Sequence, residues 1–386
     1  MSAQRQHVRQ ARYAPTTMGA PTPPEDPDDL WLGAYDYELP AAAIAQRPAA
    51  ERSGSRLMVI DAATGARTHA RFGEIGRFLR AGDLLVVNDA KVDPARLHGR
   101  KTSGGSVEVL LLGAEGAGVF IGLLRSSRRP APGTTIHFGA TLTCMVLDDL
   151  GGGRWRLRFA GADDLEAAIR GSAELPLPPY IHREHGPDAD DVERYQTVYA
   201  DVPGSVAAPT AGLHFTRDLI ADLLARGIEM ARVTLHVGPA TFQPIRTEDL
   251  RRHELEGEAY VIGPDAARAM AAARESGRRV IAVGTTTTRV LEAACDAGGV
   301  VLAGAGVARV FIGPGYRFRA VDGLITNFHL PRSSLLVLVS AFLGRRRVLT
   351  AYAEALACGY RFYSYGDAMA ILPSVGGAPA ACQGAA

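Results

Sequence analysis

Three histidines stand beside small-residue turns, where each could handle a proton. The first is His214, in Val206-Ala-Ala-Pro-Thr-Ala-Gly-Leu-His-Phe215. That segment holds almost no charge, and Pro209 and Gly212 let backbone come close to a ligand or to another chain segment. A histidine just beyond such a turn could titrate near neutral pH; a satisfied core histidine behind a tight turn is the plainer alternative. His236 closes the strand-like run Met230–Val237, ahead of a Gly-Pro turn. His329 follows Asn327 in Asp322-Gly-Leu-Ile-Thr-Asn-Phe-His-Leu-Pro331. A lone histidine of this kind is more often structural, but three beside turns point to a shared pocket.

A different chemistry is offered by Gly284-Thr-Thr-Thr-Thr-Arg289, with a strand expected over 279–283 and a helix over 288–297. Unpaired N–H groups and the positive end of the helix dipole would hold a carboxylate or phosphate there. Threonine hydroxyls add donors and can also simply cap the helix, which is the alternative reading. The stretches Tyr195–Tyr199, Pro314–Phe318 and Tyr360–Asp367 are rich in aromatics, the last two with an arginine. Such faces can stack on bases, or form ordinary half-buried strands.

The elements that must position these residues fall into two textures. Arg56–Asp61 and Asp83–Asn88 are short apolar runs, as buried strands are. Helices are expected over 217–226, 264–275, 334–343 and 347–357, alternating with the strands named above, which argues for an α/β core. Between 94 and 160 five short apolar segments (106–112, 119–124, 134–138, 141–147 and 154–159) are divided by Gly/Pro turns without helices, and this predicts an inserted antiparallel β-barrel. The expected organisation is an α/β domain over 31–93 and 161–373 interrupted by a barrel over 94–160. Residues 1–30, with five prolines, and 374–386, rich in Gly and Ala, read as disordered ends.

Composition excludes several classes. With 386 residues the chain has room for two domains, and a net charge of +1 is far from that of a protein that coats nucleic acid. The four cysteines lie far apart, with no CxxC pair, so no zinc or iron–sulfur site is expected. Scattered single thiols and a polar start fit a cytoplasmic protein, and the most apolar run, 334–343, is too short to cross a membrane. Neither a complete GxGxxG, a P-loop nor a GxSxG elbow occurs.

Taken together, the blocks resemble the S-adenosylmethionine:tRNA ribosyltransferase-isomerase family of queuosine biosynthesis. The resemblance runs from Tyr35-Asp-Tyr-Glu-Leu-Pro40 through Ser55-Arg-Leu57, Asn88-Asp89, Ala207–Phe215, Val233–Gly238, Gly284-Thr-Thr286 and Pro314–Phe318 to Asp322–Pro331 and Tyr360–Met369. It implies an α/β fold carrying a small barrel, and a reaction in which S-adenosylmethionine, a co-substrate and no tightly bound cofactor, donates its ribosyl group. The acceptor would be the aminomethyl group of a 7-deazaguanine at the wobble position of tRNA, giving epoxyqueuosine, adenine and methionine. His214 or His236 would be the base, with Asp89 beside them as a further catalytic candidate. Thr210, Gly212, Gly284, Thr285, Thr286, Tyr316, Arg317, Asn327 and His329 would bind substrate, the methionine carboxylate resting on the Gly284–Thr288 turn. Arg125, Arg128 and Arg129, and also Arg345–Arg347, would meet the anticodon loop. No metal and no membrane are expected.

The chain departs from the family pattern at Ala90-Lys91 in place of Thr-Arg, and at His253-Glu-Leu-Glu-Gly-Glu258 in place of His-x-Met-His-x-Glu. The usual Trp-Thr-Asp is replaced around 306–309, and Gly313 takes the place of an aromatic. Those changes leave open a small-molecule acceptor, or a non-catalytic relative that binds RNA or nucleotide.

Overall fold

The computed structural model describes residues 26–116, 118–238 and 245–373. Its frame is a mixed sheet of nine strands. At the centre lie four mutually parallel strands in the order Glu229–Leu235, Leu84–Asn88, Val280–Val283 and Gly323–Asn327. Glu258–Ile262 and Gly304–Ala308 extend the sheet antiparallel on one side. Ala368–Leu372, Arg56–Asp61 and Arg67–Arg71 extend it on the other.

Leu84–Asn88 and Val280–Val283 are buried on both faces, which is why they read as apolar runs rather than as alternations. Leu84 and Val86 share one core with the helices Pro264–Glu275 and Thr285–Ala294. Leu85 and Val87, pointing the other way, pack with Phe72, Ile75 and the helix Arg217–Ala225. The helices Ser334–Leu343 and Arg345–Ala357 close a third core over Met58, Ile60, Leu324 and Ile371.

Residues 96–160 form a closed six-stranded antiparallel barrel, in the order Arg154–Ala160, Val119–Ser126, Ser106–Gly116, Arg96–Lys101, Thr135–Phe138 and Leu142–Gly151. Alternate residues of each strand, among them Leu97, Val109, Ile136, Trp155 and Leu157, fill its interior. The expectation missed the strand Arg96–Lys101, whose His98, Gly99 and Arg100 break the apolar run.

Several local expectations are corrected. The helix after the threonine run begins at Thr285 rather than Thr288, so the threonines are its first turn and not a loop before it. The expectation of disorder over 1–30 is corrected for residues 27–30, because Pro27–Leu30 is a 3-10 helix. Asp26 and Asp29 pair there with Arg345 at 3.0 and 2.5 Å, and Arg346 adds a contact to Asp26 at 2.8 Å. Arg345 is therefore half-enclosed by its own chain, while Arg346 remains exposed. Residues 1–25 and 374–386 lie outside the described residues. Cys144 and Cys295 are buried free thiols, but Cys358 is disulfide-bonded, so the four single thiols read from the sequence are corrected there. No described helix is long and apolar enough to cross a membrane, and no described cluster of His, Cys, Asp and Glu is placed to hold a metal ion.

Candidate active site

The four parallel strands end side by side, and the residues at or just past their ends are His236, Asp89, Gly284 and Asn327. Carboxyl ends of parallel strands are where α/β sheets open a crevice. A cavity of about 490 Å³, open to solvent, lies there, lined by Thr210, Gly284, Thr285, Thr286, Asn327 and His329 together with Tyr180, Val237, Leu335, Tyr363 and Ser364. Gly284 takes φ 97°, ψ 150°, a conformation open to glycine and strained for any other residue. The turn lets the Thr285–Ala294 helix present its N-terminus to the cavity. Thr287 and Thr288 send their hydroxyls back to the carbonyls of Val283 and Gly284. Thr286 does not: the residue lines the cavity, and its Oγ1 is buried with no partner among the described residues. A buried hydroxyl costs about 1–3 kcal/mol unless something bonds it, so this end of the cavity asks for a polar ligand.

His214 ends the 3-10 helix Thr210–His214, and it is buried behind the cavity rather than lining it. Its Nδ1 lies 2.7 Å from Ser55 Oγ, its Nε2 lies 3.2 Å from Asn327 Nδ2, and its ring stacks on Phe72. Asn327 Nδ2 also donates to the Tyr363 carbonyl at 3.1 Å, which can only accept, so the amide nitrogen faces His214. His214 Nε2 is then the acceptor, and the ring proton sits on Nδ1 toward Ser55. On its far side Asn327 Oδ1 accepts from Thr210 Oγ1 at 3.2 Å. Ser55, His214, Asn327 and Thr210 thus form one chain of hydrogen bonds that ends at the cavity wall. Burial, with the charges of Arg361 and Arg52 behind it, pushes His214 down to about 3. The near-neutral titration expected of it is corrected: it is an uncharged ring at pH 7.

His329 lines the cavity and is held by Thr326 Oγ1 at 2.8 Å from its Nε2; burial pushes it down to about 3 as well. His236 lines no part of the cavity, although the next residue, Val237, does. It is half-buried, its Nδ1 is enclosed without a partner among the described residues, and burial lowers its pKa while Asp89 and Asp93 oppose that shift. Asp89 accepts from Thr234 Oγ1 at 2.6 Å, and burial raises its carboxyl. The three histidines therefore do not line one pocket; a single one does.

Other expected site residues sit elsewhere. Gly212 packs against the Tyr199 hydroxyl so closely that a Cβ would come within 2.0 Å of it, so its smallness serves packing. Tyr316 donates to Glu292 at 3.0 Å and Arg317 is exposed, and neither lines the cavity. Tyr195, Tyr199, Tyr360 and Phe362 are core residues rather than stacking platforms. Arg125, Arg128 and Arg129 are exposed on the barrel, where Arg129 is paired with Asp149. Four residues that the sequence did not single out for a role belong to the site: Tyr180, Tyr363, Ser364 and Ser55. Tyr363 has φ 76°, rare for a residue with a side chain, and its phenol ring packs on Tyr180. Only the aromatic density of 360–367 hinted at Tyr363 and Ser364.

The family of queuosine biosynthesis proteins matches residues 32–371 of this chain. The chain belongs to that family, and it is an enzyme. It is 50% identical over 355 residues to an S-adenosylmethionine:tRNA ribosyltransferase-isomerase of Gloeobacter violaceus, covering 92% of this chain and 99% of that one. A protein of the same name from Trichlorobacter lovleyi is 50% identical over 338 residues, 88% and 98% of the two chains. The crystal structure of an S-adenosylmethionine tRNA ribosyltransferase from Thermotoga maritima is similar with a TM-score of 0.50 at 35% identity, over 88% of this chain and all of the other.

The departures from the queuosine family pattern have places in the fold. Lys91 is exposed in the short strand Ala90–Val92. Glu256 reaches Arg154 of the barrel at 3.6 Å, so the changed segment ties barrel to sheet. Glu258, the acid that the chain keeps from that pattern, is buried, pairs with Arg289 of the threonine helix at 2.5 Å and accepts the Gly238 N–H at 2.9 Å.

Proposed function

We propose that this enzyme transfers and isomerises the ribosyl group of S-adenosylmethionine onto the aminomethyl group of 7-aminomethyl-7-deazaguanine at the tRNA wobble position, releasing adenine and methionine. The observation that carries this reading is the unpartnered Thr286 hydroxyl at a helix N-terminus in a cavity at the carboxyl edge of the sheet. Such a place suits the methionine carboxylate of the donor: N–H groups, a hydroxyl and a positive dipole end meet one anion. Asn327 and Thr210, held by His214, offer fixed polar groups to the rest of the donor.

The reaction needs a base to take a proton from the carbon beside the sulfonium, and an acid for the departing adenine. His236 is the better base of the two histidines considered. Its ring nitrogen is uncommitted among the described residues, and two carboxylates favour its protonated form. His214 has its acceptor nitrogen occupied by Asn327 and is a positioning residue. The enzyme works in the cytoplasm, where tRNA is modified. Adenine release from S-adenosylmethionine, measured with deazaguanine-bearing tRNA and with the free base, tests the reading. Release that requires the tRNA supports it; release with the free base alone replaces tRNA by a small acceptor. In the same assay His236→Ala should lose turnover by at least about a hundredfold, the usual worth of a general base. Full turnover in that variant would remove His236 from the role.

A further inference from the structure

Two further openings neighbour the donor cavity through shared lining residues. A small pocket shares Ser364 with the cavity and is walled by Arg52, Ser55, Arg194 and His214. It shares Ala49 and Ser55 with a wider hollow of about 800 Å³, open to solvent and lined by Arg56, Arg71 and Arg361. Two carboxylates, Glu51 and Asp367, line that hollow against its three arginines. With Arg52 and Arg194 of the small pocket, five arginines line the two neighbouring openings.

These arginines are fixed in place but not neutralised. Arg52 donates to the carbonyls of Glu193, Arg194, Gln196 and Leu213. Arg194 donates to Ala49 and Ala50, Arg71 to Gly54, Arg361 to Arg47 and Arg56 to Cys358. Among the described residues only Arg361 has a carboxylate within ion-pair reach, Asp367, at the limit of 4.0 Å. Asp367 is occupied by the backbone N–H groups of Arg56 and Arg361. The barrel differs: Arg129 and Arg156 are paired with acids, and the guanidinium groups of Arg125 and Arg128 make no hydrogen bond among the described residues. Guanidinium groups pre-set by carbonyls, with N–H donors left over, are suited to phosphate oxygens.

Resting on the function proposed above, we infer that the Arg56–Arg71–Arg361 hollow seats the phosphodiester backbone of the acceptor RNA, with the inner pair Arg52 and Arg194 along the way to His214 and the donor cavity. Donor and acceptor then approach from neighbouring openings. The barrel arginines are not the main phosphate contacts.

The test is binding of a deazaguanine-bearing anticodon stem-loop RNA to the full chain, without S-adenosylmethionine, across a range of salt. The double variant Arg71→Gln/Arg361→Gln should weaken binding at least about tenfold and flatten the plot of log affinity against log salt by about 2, one for each lost phosphate contact. Arg71→Lys/Arg361→Lys, which keeps the charge, should recover the slope, a recovery that a purely structural role would not produce. Arg268→Gln, which removes a charge from an exposed pair with Asp265, should change neither. With S-adenosylmethionine present, KM for the RNA should rise in the Gln variant while KM for the donor stays. Wild-type affinity and slope in the folded Gln variant would overturn the inference, as would loss of both in Arg125→Gln/Arg128→Gln alone. RNA binding is read without turnover, so absence of adenine release from wild type would sink the proposed reaction and leave this result standing.

Discussion

The sheet edge and the barrel use polar residues in opposite ways. Between residues 96 and 160 no described polar or charged residue is wholly buried, although Arg96 Nε is enclosed; the interior is apolar, and arginines such as Arg156, on Glu115 and Asp148, form their ion pairs in solvent. At the sheet edge the reverse holds. Asn88, Asp89, His214, the four threonines 285–288, Arg289, Thr326, Asn327 and His329 are all buried. Taking such groups out of water is costly unless each is bonded, and a barrel of similar construction shows that stability does not require them. Their concentration at one edge marks that edge as the place where the fold gives up stability for chemistry.

Three measurements sharpen or break this contrast. The largest effect is expected from Asn327→Ala, which leaves His214 Nε2 without its partner and takes one of two donors from the Tyr363 carbonyl, which keeps the Gly366 N–H at 3.0 Å. At about 1–3 kcal/mol for a buried group left unsatisfied, roughly 2 kcal/mol of unfolding free energy should be lost, and adenine release with it. Denaturant melts and turnover read both, and a variant as stable and active as wild type would dissolve the hydrogen-bond chain as a functional unit.

Acid comes next. His214 and His329 have folded pKa values near 3, below the ordinary value of 6.5, so between those limits the unfolded chain binds more protons than the folded one. The stability they contribute is complete above about pH 6.5 and is lost as pH falls toward 3, by up to about 1.4 kcal/mol per pH unit for each ring. His214→Gln should flatten that slope in urea melts run from pH 7 to pH 4; an unchanged slope would mean that His214 is charged when folded.

The smallest effect belongs to the barrel. Arg156→Ala removes two exposed ion pairs and should leave the thermal midpoint unchanged within error, because screened surface pairs contribute little. A clear drop would put the barrel on the same footing as the sheet edge.

Much of the frame was legible because period and length carry it. Helix 264–275 and the barrel strands near 106 and 119 begin where the sequence pattern places them. Strand 96–101 was not legible, because a polar strand paired on both sides looks like a loop. At the site, small-residue turns revealed Thr210, Gly284, Thr286, Asn327 and His329, since a turn that must come close to a ligand leaves its mark in residue type. Tyr180 and Ser55 left none: they meet Ser364 and His214 across 184 and 159 residues of sequence, and nothing local distinguishes them.

The sequence by itself determined an α/β sheet with a barrel inserted in it, a loop-and-threonine edge rich in small residues, and membership of the queuosine family. Tertiary structure alone decided that His214 stands behind Asn327 as an uncharged ring, that His236 and Asp89 do not line the cavity, and that five arginines line two neighbouring openings. Local pattern fixes which way a backbone runs, whereas burial, charge and hydrogen-bond partners depend on which segments meet.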